Sequence, residues 1–236
     1  MMLRIDGLNA AYGRIKVLWN VSLNVSSAEA VGLFGPNGAG KTTLVNCVIG
    51  FLKPISGKVF FQDKDITGME PHEVVKLGIA LVPQERELFP NMTVEENLRA
   101  GANYVPHARE RMLEAFDLVF TLFPILKERL KQKVGTMSGG EQRMVAVARA
   151  LMSFPKLLIL DEPSVGLQPS IVSELFSKLR EIKNQGVSIL LIEQNVKQGL
   201  KVVERGYVIE NGRIVLEDSS TNLMNNDHIK KAYLGL

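Results

Sequence analysis

Residues 156–160 run Lys-Leu-Leu-Ile-Leu and residues 187–192 run Val-Ser-Ile-Leu-Leu-Ile, nearly apolar stretches without polar alternation. Such runs predict central strands of a parallel sheet covered on both faces. Residues 30–34 and 79–82 read the same way. By contrast, residues 3–6 and 21–25 alternate apolar and polar side chains, so an antiparallel sheet with one wet face is expected on the amino-terminal side. Residues 58–62 predict another strand, with residues 63–65 as a turn. Residues 207–210 and 213–216 flank Asn211-Gly212, the composition of a two-residue hairpin turn.

Helical patterns cover residues 44–49, closed by Gly50, and residues 71–77, with Pro71 in the first turn. Residues 171–183 and 196–203 also read as helices, and two short helices finish the chain. From about residue 85 to 154 the pattern is almost wholly helical, which predicts an inserted subdomain. Within it, Thr93 and Glu96 have capping-box spacing, and residues 109–123 form an amphipathic helix broken by Pro124. Ser138 and Glu141 open a last helix running through Met144, Val147 and Leu151. The expectation is one α/β domain over residues 1–236. Residues 1–84 and 155–236 form its core, a parallel sheet joined by an antiparallel β part, and residues 85–154 form a helical insert.

Composition narrows the chemistry. A chain of 236 residues can bury a core without staples, and its one cysteine, Cys47, excludes an internal disulfide and sits where a buried hydrophobe is expected. His72, His107 and His228 lack metal-ligand spacing and read as surface residues. No apolar run reaches membrane-span length, and no signal peptide is visible, so the protein is expected in the cytoplasm. A net charge of +3 with dispersed basic residues gives no reason to expect nucleic acid as a partner.

The chemistry centres on Gly35, Pro36, Asn37, Gly38, Ala39, Gly40, Lys41, Thr42 and Thr43, which match G-x-x-x-x-G-K-[ST] between a predicted strand and a predicted helix. Glycines there let backbone N–H groups surround phosphate oxygens, and the helix opening at Lys41 aims its positive end at the same anion. Lys41 reaches the β and γ phosphates, and Thr42 offers a hydroxyl to Mg²⁺. Asp161 and Glu162 end a core strand on the same side, suited to supporting the metal and activating water. Gln84 ends another core strand, where open α/β sheets place ligand-facing groups. Gly139 and Gly140 in a helical first turn cost roughly 1 kcal/mol each against alanine, which makes sense if a phosphate approaches the backbone. Tyr12 either stacks on a nucleotide base or covers the sheet edge. Residues 88–90, Leu-Phe-Pro, are either a docking surface or folded inward.

With these residues placed, the whole chain resembles an ATP-binding cassette (ABC) ATPase subunit of a membrane transporter, with a P-loop NTPase core. Residues 35–43 resemble the Walker A loop, and Gln84 the Q-loop glutamine. Ser138, Gly139 and Gly140, followed by Glu141, resemble the family signature. Asp161 and Glu162 resemble Walker B and its catalytic glutamate, and Tyr12 the adenine-stacking aromatic. The runs at 136–142, 192–195 and 232–235 are most similar to the second ATPase subunit of branched-chain amino acid importers. The resemblance implies ATP and Mg²⁺ as cofactors, with Thr42, Gln84 and Asp161 at the metal, Gln84 sensing the γ-phosphate and Glu162 polarising water. It also implies permease subunits as partners, a head-to-tail dimer with a copy or a paralogue, and a peripheral place on the inner face of the membrane. Met137 and Glu141 replace the usual Leu and Gln around the signature, Gln168 a common Asp, and Gln194 the usual switch histidine. An amide holds a phosphate oxygen but does not exchange a proton at ordinary pH. A soluble cassette ATPase of ribosomes or DNA and an ordinary P-loop kinase or GTPase are the alternatives. The first usually carries two cassettes or a long coiled coil, and the second does not dimerise around nucleotide.

Overall fold

The computed structural model describes residues 1–234, so Gly235, in the closing run noted above, lies outside the described residues. The chain opens with β1 (Leu3–Tyr12) and β2 (Ile15–Val25), followed by β3 (Ala30–Phe34) and α1 (Lys41–Val48). Next come β4 (Ser56–Phe61), β5 (Lys64–Asp65), α2 (Pro71–Leu77) and β6 (Ile79–Val82). Between β6 and β7 (Leu157–Asp161) the named elements are all helical: α3 (Val94–Asn103), α4 (Pro106–Glu110), α5 (Met112–Leu122), α6 (Pro124–Glu128) and α7 (Gly139–Leu151). The chain then continues through α8 (Pro169–Asn184), β8 (Ser188–Glu193), α9 (Val196–Gly199), β9 (Arg205–Glu210), β10 (Arg213–Ser219), α10 (Ser220–Asn225) and α11 (Asp227–Ile229).

Two sheets result. A four-stranded antiparallel sheet has the order β2-β1-β4-β5, and a six-stranded sheet has the order β10-β9-β3-β8-β7-β6. The second is parallel from β9 to β6 and gains its one antiparallel pair at the β9–β10 hairpin. The uninterrupted apolar runs are divided by the strand period of two. Leu158, Leu160, Ile189 and Leu191 face a core shared with the helical segment, whereas Leu157, Ile159, Leu190 and Ile192 face a core shared with α1 and the antiparallel sheet. Burial on both faces explains why no polar position interrupts these strands. Cys47 is buried among the second group, and burial pushes its thiol up to about 11. His72, His107 and His228 are exposed.

Three local expectations change. Residues 109–123 are not one helix: α4 runs from Pro106 to Glu110, and the next residue, Arg111, leaves the helical region with φ of −102° and ψ of 29°. At this break the Arg111 guanidinium lies 4.4 Å from the Phe154 ring centroid. The segment expected as a turn at 63–65 instead pairs Lys64 and Asp65 with Phe61 and Phe60, the turn falling on Gln62 and Asp63 with φ of 48° and 65°. The helix expected over 196–203 is only Val196–Gly199, and its last residue, Gly199, packs closely against Phe34.

Candidate functional site

The phosphate loop springs from a locked strand end. A Cβ on Gly32, Gly199 or Gly206 would come within 2.2, 2.5 and 2.6 Å of Phe34 ring atoms, so three glycines from separate elements form the slot that holds this ring. After Phe34 the loop turns through Gly38 and Gly40 at φ of 78° and 105°, values that favour glycine. The Gly212 N–H, from the hairpin turn, donates to the Ala39 carbonyl at 2.9 Å and steadies the loop from its far side. Helix α1 then opens with Gly40 as N-cap, with no side-chain cap and no acid in the first turn. Its first amides and the positive end of its dipole are therefore unclaimed by any side chain. Lys41 is only 4% exposed. Its ammonium donates to the carbonyls of Gly35 (2.9 Å) and Pro36 (3.0 Å) and lies 3.1 Å from Glu162 Oε1.

The acids at the end of β7 meet this loop from across the sheet. Thr42 Oγ1 donates to Asp161 Oδ2 at 2.9 Å, whereas Asp161 Oδ1 is buried with no hydrogen-bond partner. Burial raises the Asp161 carboxyl above its ordinary range, partly offset by the Thr42 hydrogen bond. An orphaned carboxylate oxygen beside a hydroxyl fits a hydrated divalent cation, which would supply the missing partner and favour the ionised acid. Glu162 adopts φ of +46°, in the left-handed region, where a non-glycine residue costs on the order of 1–3 kcal/mol. Its N–H donates to the Ile192 carbonyl on β8 at 3.0 Å.

A cleft of about 450 Å³ brings together Asn37, Gly38, Gly40, Lys41, Thr42 and Thr43 with Gln84 and Glu162. Gly35, Pro36 and Ala39 shape the loop from outside the cleft lining, and Asp161 lies buried beneath it. Tyr12 stands apart, 48% exposed, its hydroxyl accepting from Asn46 Nδ2 at 3.2 Å on α1. Gln194 is exposed just past β8 and does not line the cleft.

Ser138, Gly139, Gly140 and Glu141 also stand outside this cleft. Both capping boxes are formed: Ser138 Oγ accepts from the Glu141 N–H at 3.4 Å, and Glu141 Oε2 accepts from the Ser138 N–H at 2.8 Å. Arg129 pairs with Glu141 Oε1 at 2.7 Å, so the carboxylate beside this helix start is neutralised. Both glycines lie close to neighbouring side chains. A Cβ on Gly139 would come 2.9 Å from the Arg86 guanidinium, and one on Gly140 would come 2.7 Å from Ile171 Cγ2.

Two buried charges escape the motif reading. Arg143 donates to the carbonyls of Pro83 (2.9 Å) and Gln84 (2.8 Å), tying α7 to the backbone around Gln84, and burial lowers it to about 10. Glu193, fully buried at the end of β8, accepts from Ser164 N–H at 3.1 Å and Ser164 Oγ at 2.9 Å. Burial pushes Glu193 up to about 7, and the nearby Glu162 charge adds to the rise. The only trace of this in the sequence is an acid closing an otherwise apolar strand run, which also occurs in solvated turns.

The ABC transporter family model matches residues 18–165. The chain is 44% identical to the high-affinity branched-chain amino acid transport ATP-binding protein BraG of Pseudomonas aeruginosa, over 99% of this chain and 100% of that one. It is 35% identical to the probable branched-chain amino acid transport ATP-binding protein LivF of Archaeoglobus fulgidus, over 100% and 99%. Among solved structures, the ADP conformation of an ATP-binding cassette of an ABC transporter superposes with a TM-score of 0.86 at 32% identity, covering 100% of this chain and 99% of that one. With a full-length match of sequence and fold, and a phosphate loop facing two strand-end acids, this chain belongs to the ABC transporter family as one of its ATP-hydrolysing cassettes.

Proposed function

We propose that this cassette powers import of branched-chain amino acids through partner permease subunits. The observation that carries this reading is the 44% identity to BraG across the whole chain, joined to a cleft in which loop, cation and acids converge. In the proposed cycle, Lys41 and the first amides of α1 bind the β and γ phosphates. Thr42 and Asp161, with Gln84 at the rim, hold Mg²⁺, which supplies neutralisation of phosphate charge. Glu162 takes the proton of the attacking water, Gln84 and Gln194 orient the γ-phosphate, and Tyr12 stacks on adenine.

The position of Ser138, Gly139, Gly140 and Glu141 outside the cleft supports a site completed by a second ATPase subunit, a copy or a paralogue. Among the described residues Ser138 Oγ only accepts, so its hydrogen can donate to a phosphate oxygen across such an interface. Residues 85–154 act as the helical unit that presents this turn. A second cleft of about 430 Å³, between residues 84–90 and the start of α7, offers a seat for a permease segment. Phe89, 48% exposed, stands on the adjoining loop, while Leu88 packs inward, which divides the expected Leu-Phe-Pro patch. Among the described residues no helix is long and apolar enough to cross a membrane, and the protein acts peripherally through its permeases. The test is reconstitution with permease subunits and a binding protein of a branched-chain amino acid importer. Leucine, isoleucine or valine uptake that requires ATP and is lost in Lys41→Ala supports the reading, and hydrolysis stimulated by another solute class alone overturns it.

A further inference from the structure

The loop after β7 is attached to the end of β8 at two neighbouring points. The Glu162 N–H donates to the Ile192 carbonyl, and two residues later Ser164 is gripped by the carboxylate of the next β8 residue, Glu193. The grip is two-handed. Glu193 Oε1 takes the Ser164 N–H and Oε2 takes its hydroxyl, so both oxygens serve a single loop residue. Between the two attachments lies Pro163, with its φ restricted by its ring, and before it Glu162 holds a left-handed backbone at φ of +46°. A non-glycine residue stays in that region only when its surroundings enforce it. The Glu162 side chain leaves this backbone toward Lys41, 3.1 Å away, and so into the phosphate cleft. A fully buried carboxylate is costly unless its lone pairs are satisfied, and here the burial is spent on holding that turn.

Resting on the reading of Glu162 as the water-activating carboxylate, we propose that Glu193 is a positioning residue for it. Through Ser164 it holds Glu162 in the left-handed conformation that directs its carboxylate to the phosphate cleft. Glu193 touches neither nucleotide nor water in this scheme. Its effect falls on the chemical step and leaves nucleotide binding alone, because the phosphate loop has its own supports in Phe34 and Gly212.

The test uses the full chain with Mg-ATP and compares kcat, KM and thermal midpoint. Glu193→Gln keeps an acceptor for the Ser164 N–H and a group that bonds its hydroxyl, so kcat is expected within about threefold of native. Ser164→Ala removes the hydroxyl contact and Glu193→Ala removes both. The expected kcat losses are about threefold to tenfold and more than tenfold, with KM for ATP within about twofold, and Ser164→Thr restores the loss at 164. If Glu193→Ala does not fold, Ser164→Ala and its Thr rescue carry the test. Native kcat in Ser164→Ala with a lowered thermal midpoint makes the clamp a stabilising contact only and overturns the proposal, as does a Glu193→Gln protein as slow as Glu193→Ala. Glu162→Gln is the control. If it turns over normally, the reading of Glu162 fails and the clamp proposal with it, whereas a dead Glu162→Gln beside a native Ser164→Ala sinks the clamp alone.

Discussion

Lys41 Nζ lies 3.1 Å from Glu162 Oε1, and both side chains are almost wholly buried. The cation of the phosphate loop and the acid at the end of β7 thus face each other across the cleft, with Gly35 and Pro36 carbonyls completing the ammonium's contacts. Removing one partner of such a pair leaves a buried charge without compensation, which costs about 3–5 kcal/mol in comparable cases.

Lys41→Ala is therefore expected to abolish ATP hydrolysis, weaken nucleotide binding and lower stability together. Turnover, nucleotide affinity by calorimetry and a urea melt check the three effects. Near-native turnover would remove the loop cation from the mechanism.

Glu162→Gln keeps the side-chain shape and an oxygen for Lys41 but removes the basic group. Mg-ATP binding is expected to persist while hydrolysis slows on the order of 100-fold or more. ATP should then hold the subunits together, with the paralogue added if the copy alone does not pair. Light scattering with and without ATP reads this directly, and a variant that hydrolyses at the native rate makes Glu162 a bystander.

Gln194 is exposed at the end of β8, and its carbonyl is engaged by the Val196 N–H. If its amide orients the γ-phosphate when the site closes, Gln194→Ala lowers turnover with little change in ATP affinity, and Gln194→His retains much of the activity. The histidine form also acquires an ionisation near pH 6–7, roughly the imidazole value. Turnover against pH for the three proteins decides it, and native-like rates in the Ala form leave Gln194 without a catalytic part.

Glu193 carries a pH signature in stability. Burial lifts it from 4.5 to about 7, so between these values the folded chain keeps a proton that the unfolded chain has lost. The contribution is full below about pH 4.5 and is lost as pH rises through 7. The span corresponds to roughly 3 kcal/mol as an upper scale. Glu193→Gln removes the slope, so its stability relative to native is expected to rise between pH 5 and pH 8. Urea unfolding at both pH values measures the change, and parallel dependence in the two proteins would contradict it.

The sequence alone determined the features whose causes lie within a few residues. The phosphate loop, the capping boxes at Thr93 and Ser138 and the turn at Asn211 and Gly212 are set by local hydrogen bonds and local φ preferences, and all four are formed. The central strands were legible because burial on both faces leaves polar residues only at their ends. Only the tertiary structure decided where distant segments meet. The expected long helix is interrupted at Arg111, whose guanidinium lies over Phe154, 43 positions away in sequence. Gly199 and Gly206 make room for Phe34, and Gly140 makes room for Ile171. Ser164 reaches Glu193 across 29 residues because β7 and β8 are neighbours in the sheet. The orphaned Asp161 oxygen likewise depends on what surrounds it after folding. Period and propensity act along the chain, whereas the partner of a buried charge is chosen by strand order, and no window of sequence contains both members of such a pair.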